Sequence, residues 1–173
     1  RYEKVARVNP QSFEMHTSVS AHPFAIELPP GRYTLTVERG KEYFPATQTI
    51  AVGSEPVEVM VPLKRWIHMA ERGWFSGDTH VHRPLGELPV LLLAEDLNVA
   101  FPLSYWVTRA FTAPSTGDKN LGGEIPDSLV KVDDTHVFWP RNTEYEIGSV
   151  NGKPHTLGAV FVLALLPGYR LTA

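Results

Sequence analysis

The sequence predicts an α+β chain in two parts, an N-terminal all-β sandwich followed by an α/β second half. Three observations carry that expectation. Short strand-like runs recur at regular spacing up to about residue 65, punctuated by Pro and Gly. From Trp74 onward, apolar strand-like runs flank a helical one. The composition, 43% apolar and 20% charged over 173 residues, suits a folded chain of one large or two small domains. The change of pattern sets the expected domains at 1–65 and 66–173.

The first half begins with a short strand at residues 24–28, Phe-Ala-Ile-Glu-Leu. Pro29-Pro30-Gly31 turns the chain, Pro fixing φ and Gly tolerating a positive one. Residues 32–38 alternate, with Tyr33, Leu35 and Val37 on one face and Thr34, Thr36 and Glu38 on the other. After a turn at Gly40-Lys41, strands are expected at 46–52 and 57–63, separated by Gly53-Ser-Glu-Pro56. The wording Leu28-Pro-Pro-Gly-Arg-Tyr-Thr-Leu-Thr-Val37 resembles the carboxypeptidase-regulatory or transthyretin-like sandwich, over residues 20–64. His16 and His22 read as ordinary loop or strand residues. Residues 64–72 form a junction, where Trp66, Ile67 and Met69 are expected to pack and His68 to be a junction residue.

In the second half a strand ends in the histidine-rich stretch 78–82, and a helix follows from about residue 86. Pro89 suits a helix first turn, and Leu88, Leu91, Leu92 and Glu95 keep helical spacing. Residues 99–103 read as the next buried strand, which completes a βαβ unit with parallel pairing. Residues 110–127 read as a long loop. Strands are expected at 130–139, 143–147 and 155–166, the last two joined through a turn at Asn151-Gly152.

A net charge of −3 with no dense basic segment gives no reason to expect a nucleic acid or an anionic membrane as partner. The longest apolar stretch, 159–167, is about half of what a membrane span needs. Without Cys there is neither a disulfide nor a thiolate metal site, which fits a compartment where thiols are a liability. The chain opens on Arg-Tyr-Glu-Lys and stops just after an apolar run, so it is expected to be a piece of a longer protein.

The chemistry concentrates at Gly73-Trp-Phe-Ser-Gly-Asp78-Thr-His80-Val-His82-Arg83. Side chains at i and i+2 of a strand share a face, so Asp78, His80 and His82 aim three polar groups at one point. Neutral imidazoles held that close suit a divalent metal. Asn142-Thr-Glu144-Tyr-Glu146 and Asn151-Gly-Lys-Pro-His155-Thr-Leu-Gly158 form a second cluster. A hairpin between them would bring a carboxylate and an imidazole together.

Asp-x-His-x-His on a first strand, followed by Glu and His-x-x-Gly, resembles the polymerase and histidinol phosphatase (PHP) superfamily, and the wording around Asp78 resembles its CehA/McbA metallohydrolase branch. The resemblance implies that the second half is the start of a distorted (β/α) barrel, cut short here. It also implies a hydrolase that acts on phosphoesters or on carboxyl or carbamate esters through metal-activated water. His80, His82, Glu144 and His155 would be the metal ligands, with Glu146 as the substitute for Glu144 if the register shifts. Asp78 and Glu144 would serve catalysis, Asp78 by accepting from a histidine ring N–H. Zinc, manganese or iron fits such ligands. The partner would be a small-molecule ester. A Cys-free sandwich joined to this branch points to an extracytoplasmic, periplasmic or secreted, location.

The family's next strand ends in Thr-Asp-His, where this chain has Leu103-Ser104-Tyr105-Trp106, and its late Asp-x-His motif is missing. A non-catalytic carbohydrate- or protein-binding module with a degenerate metal site is therefore the alternative, and a purely structural metal site a third reading. Asp134-Thr-His136-Val echoes Asp78-Thr-His80-Val. His136 is either an extra ligand or a strand histidine bonded to a backbone carbonyl. Trp74, Trp106 and Trp139 either line a pocket or pack. Glu124, Asp127 and Asp133 read as solvated. Ser76 and Ser104 have no base at a telling spacing for nucleophilic chemistry.

Overall fold

The structure is a computed structural model and describes residues 2–5, 15–116, 124–154 and 158–166. The chain divides into two compact units, Arg1–Phe75 with Leu93–Asp96, and Ser76–Leu92 with Leu97–Ala173.

In the first unit, β1 (Tyr2–Val5) pairs antiparallel with β2 (Met15–Ser18). β3 (Gly31–Val37) pairs antiparallel with β4 (Ala46–Val52), placing Tyr33 opposite Ile50 and Leu35 opposite Gln48. The alternation read from Tyr33, Leu35 and Val37 is real: these three are half-buried and Thr34 and Thr36 exposed. The Tyr33 hydroxyl donates to the Pro29 carbonyl at 2.7 Å, tying the strand to the Pro-Pro turn before it. Gly40 has φ +49°, and a Cβ there would lie 2.4 Å from the Glu95 carbonyl oxygen, so the turn and the close approach both require glycine. Arg65 organises the charged groups of this unit. Its guanidinium meets Glu42 at 2.6 Å, the Tyr43 hydroxyl at 2.7 Å and Asp96 at 2.5 Å. Burial would lower the Arg65 pKa, but the hydrogen bonds to Tyr43 and Asp96 outweigh it and raise the pKa.

The expected sandwich is not what forms. Among the described residues this unit holds two separate two-stranded ladders. Segments 24–28 and 57–63 are not strands. Phe24, Ile26, Val57 and Met60 face solvent, and Pro62 removes a ladder donor from the second segment. Strand-like composition without a surface to cover does not build a second sheet.

In the second unit, β5 (Gly77–Val81), the Leu88–Leu92 part of α1 (Leu88–Glu95) and β6 (Val99–Pro102) form a βαβ unit with parallel pairing. Pro89 stands in the first turn of α1, where a missing N–H costs nothing. The helix stops at Asp96, which takes φ +54° while the Leu97 N–H donates back to the Leu92 carbonyl at 2.9 Å. That six-residue closure is a Schellman ending. β8 (Val130–Lys131) and β9 (Val137–Phe138) complete a four-stranded sheet ordered β5-β6-β9-β8, with only β8 antiparallel. Leu88, Leu92, Ala100 and Phe138 form its core, flanked by Val81, Leu85, Leu91, Leu97, Val130 and Val132. Removing one such leucine side chain costs about 2–5 kcal/mol.

A second sheet holds β7 (Tyr105–Val107), β10 (Thr143–Tyr145) and β13 (Val160–Val162), with β10 in the middle, parallel to β7 and antiparallel to β13. β11 (Ser149–Val150) and β12 (Lys153–Pro154) make a hairpin across Asn151 and Gly152, at φ +52° and +73°. Two successive positive φ values are what a type I′ turn requires, and Asn-Gly supplies them.

The start of a (β/α) barrel is also not what forms. Among the described residues α1 is the one α-helix, and no sheet closes on itself. A parallel strand needs a crossover of a dozen or more residues, whereas only Leu103 and Ser104 separate β6 from β7. The chain leaves the first sheet and begins a second. The expected strand at 130–139 splits for a similar reason: residues 132–136 turn on the Asp133 side chain, and β8 folds back on β9. The fold is a sheet-rich one, with a single βαβ unit among the described residues. No helix of the described residues is long and apolar enough to cross a membrane.

Candidate metal centre

β5 presents its motif with an irregularity. Asp78 pairs with Ala100 and Val81 with Pro102, so the register shifts between them. Shifts of this kind re-aim side chains near the end of a strand. Asp78 stabilises the shifted segment: its Oδ1 accepts the His80 backbone N–H at 2.9 Å. The resemblance implies a histidine ring N–H as the partner of Asp78; the structure shows the His80 main-chain N–H there.

His80 lies near the end of β5 and His82 just past it. Their Nε2 atoms are 2.8 Å apart, and the rings meet edge-on with centroids 4.8 Å apart. Glu144, at the centre of β10 and 3% exposed, brings Oε2 to 3.5 Å from His82 Nε2. The ligand atoms of His80, His82 and Glu144 all lie within 4.8 Å of one another, and among the described residues this is the one such group of three. With metal–ligand bonds of about 2.0–2.2 Å, neighbouring donors on one ion stand about 2.9–3.5 Å apart. The 2.8 Å spacing between the histidines and the 3.5 Å spacing from His82 to Glu144 lie at the two ends of that range, and the His80–Glu144 pair, within 4.8 Å, would close further on an ion. Two imidazoles and a carboxylate are also a donor set suited to a divalent transition metal. These three residues can hold a metal ion.

The surroundings are uneven. The histidine side is open, with the His82 side chain 41% exposed, while the carboxylate comes from a strand whose three residues are all buried. Phe161, opposite Glu144 on β13, lies against the His80 ring at a centroid distance of 4.5 Å. On the other side, Trp106 of β7 is in register with Glu144. Its indole N–H donates to Glu146 Oε2 at 2.8 Å, so the structure engages Glu146 with the indole and places Glu144 with the histidines. Burial raises the pKa of Tyr145, the next residue on β10.

His155, the fourth expected ligand, lies outside the described residues. His136 is not in the cluster. It is buried, with Nδ1 2.9 Å from both Asp133 oxygens and 3.0 Å from the Thr135 hydroxyl oxygen, so a carboxylate stands where the sequence predicts a ligand role or a backbone carbonyl. Asp133 is held at a pKa of about 2, first by the Thr135 backbone N–H and then by the His136 side chain. Asp127 pairs with Arg141. Trp139 donates to the Leu165 carbonyl at 3.3 Å, and Trp74 is exposed.

Sequence reasoning missed Phe161 and Asn142. Phe161 read as one more apolar residue of a core strand, and only the antiparallel register across Glu144 reveals it. Asn142 was one polar residue in the second cluster, yet it is completely buried and its side chain bonds three separate backbone segments. No family model, curated protein or solved structure matches this chain.

Proposed function

We propose that His80, His82 and Glu144 form the metal centre of a hydrolase that cleaves a phosphoester or a carboxyl or carbamate ester. The convergence of these three side chains, two carried by the end of β5 and one by β10, is the observation that supports the reading. Zinc, manganese and iron are the candidate ions. When bound, such an ion supplies a Lewis acid and makes water nucleophilic at neutral pH. The chain's own part is positional. Glu144 is fixed in the middle of a sheet and gives the centre its rigid side. The exposed histidines leave the opposite side accessible to water and to an ester. Phe161 restrains the His80 ring, and Asp78 holds the His80 backbone.

The alternative, a carbohydrate- or protein-binding module, draws on a different observation. Phe44 and Trp66 form an exposed ring pair in the first unit, with centroids 6.4 Å apart. Exposed aromatic pairs of this kind suit sugar faces and protein partners.

Elemental analysis of the purified chain beside a His80→Ala/His82→Ala variant separates the two readings. Stoichiometric zinc, manganese or iron that disappears in the variant supports the metal centre, and an ester panel then tests hydrolysis. A folded wild type that takes up none of these ions overturns it.

A further inference from the structure

We infer that Asn142 is the positioning residue of this centre, the group that sets Glu144 against the histidines; this rests on the metal reading above. Two residues before Glu144, Asn142 is wholly buried. Its Nδ2 donates to the Pro102 carbonyl at 2.8 Å and to the Trp139 carbonyl at 2.6 Å, and its Oδ1 accepts the Ala164 N–H at 2.9 Å. The amide orientation is fixed by its partners, since two carbonyls face the nitrogen and one N–H faces the oxygen. Both amide hydrogens and one oxygen lone pair are used, which makes the side chain a rigid connector rather than filler.

The three partners lie on three different segments of the chain. Pro102 ends β6 and sits in register with Val81, the residue before His82, while the Leu103 N–H beside it donates to the Val81 carbonyl at 3.0 Å. The Pro102 bond therefore links the strand end that carries the histidines to the strand that carries Glu144. Ala164 lies just past β13, whose Phe161 rests on His80. Trp139 opens the segment that leads from β9 into β10. The Asn142 carbonyl itself accepts the Tyr105 N–H at 3.0 Å, which starts the β7–β10 pairing. The four-stranded sheet holds the histidines, the three-stranded sheet holds Glu144, and Asn142 is the side chain that bonds to both.

The test uses cobalt(II) as a probe on the whole chain, because its visible bands report ligand number and geometry. Groups that orient ligands without touching the metal typically change affinity about 10- to 100-fold. Asn142→Ala should weaken cobalt binding by that factor and give the spectrum of Glu144→Ala. The double variant should bind no more weakly than Glu144→Ala alone, as expected of two residues acting through one ligand. If Asn142→Ala does not fold, Asn142→Ser, which retains a hydroxyl donor, carries the same measurement. A purely structural residue would instead lower the melting temperature and leave the affinity and spectrum of the folded protein unchanged; that result overturns the inference alone. A wild type that binds no cobalt overturns the metal reading and this inference with it.

Discussion

The tetrapeptide Asp-Thr-His-Val occurs twice in this chain, at 78–81 and at 134–137, and the two copies do opposite things. Their strands, β5 and β9, run parallel in one sheet. In the first copy the histidine lies at the C-terminal end of its strand, is exposed, and meets His82 and Glu144. In the second it precedes the strand and is buried, with Nδ1 against Asp133. At each copy a carboxylate accepts a nearby backbone N–H, Asp78 within the first for His80, and Asp133 just before the second for Thr135 and His136. Asp134, which matches Asp78 in the repeat, instead pairs with Lys131 at 2.6 Å on the surface. The wording alone therefore carries no function. Place along the strand, and what the neighbouring sheet presents there, decide whether a histidine can serve as a ligand or is held as a brace.

Substitutions in the two copies test this contrast. The largest effect belongs to the ligands. Glu144→Ala should lower metal affinity by about 100-fold or more, while His136→Ala leaves affinity and stoichiometry unchanged. Calorimetric titration of both variants would show it, and equal losses would erase the distinction. His136→Ala should act on stability, lowering it by about 1–3 kcal/mol in urea denaturation, because a buried, hydrogen-bonded ring is lost. Asp78→Ala should reduce metal affinity by about tenfold through the His80 backbone, leaving the stoichiometry intact. Asp133 gives a pH signature. Its folded pKa is about 2 against an ordinary 3.8, so its stabilising contribution is present above the ordinary value and is lost as pH falls from there toward 2. Urea midpoints measured from pH 5 to 2 should fall less steeply in Asp133→Asn than in the wild type. Asp134→Ala should change stability by no more than about 0.5 kcal/mol, as for an exposed ion pair.

The sequence disclosed the local parts of this structure and concealed those that depend on neighbours. His80 and His82 could be read from strand periodicity because their partnership is nearly local. The Asn151-Gly152 turn and the helix around Leu88 and Leu92 were legible for the same reason. Glu144 was reached through spacing and resemblance, and nothing local distinguished it from Glu146; the Trp106 indole, 40 positions from Glu146, makes that distinction. Asn142 was opaque because its partners are main-chain groups 40, 3 and 22 positions away, and main-chain carbonyls and N–H groups leave no mark in a sequence. The sandwich and the barrel failed at the same level. Phe24, Ile26 and Met60 have the residue types of core strands, yet they lie in solvent. Residue type records what a segment can bury, and only the assembled chain determines whether there is anything to bury it against.

The donors at 82 and 144 stand about 60 residues apart, so an ion held by both would close a loop of that length, and long loops are where a cross-link removes the most freedom from the unfolded chain. The centre would then act as a clasp on folding as well as a place for chemistry. If an ion is held there, chain stripped of it should open more often between β5 and β10 and be cut faster there by a protease.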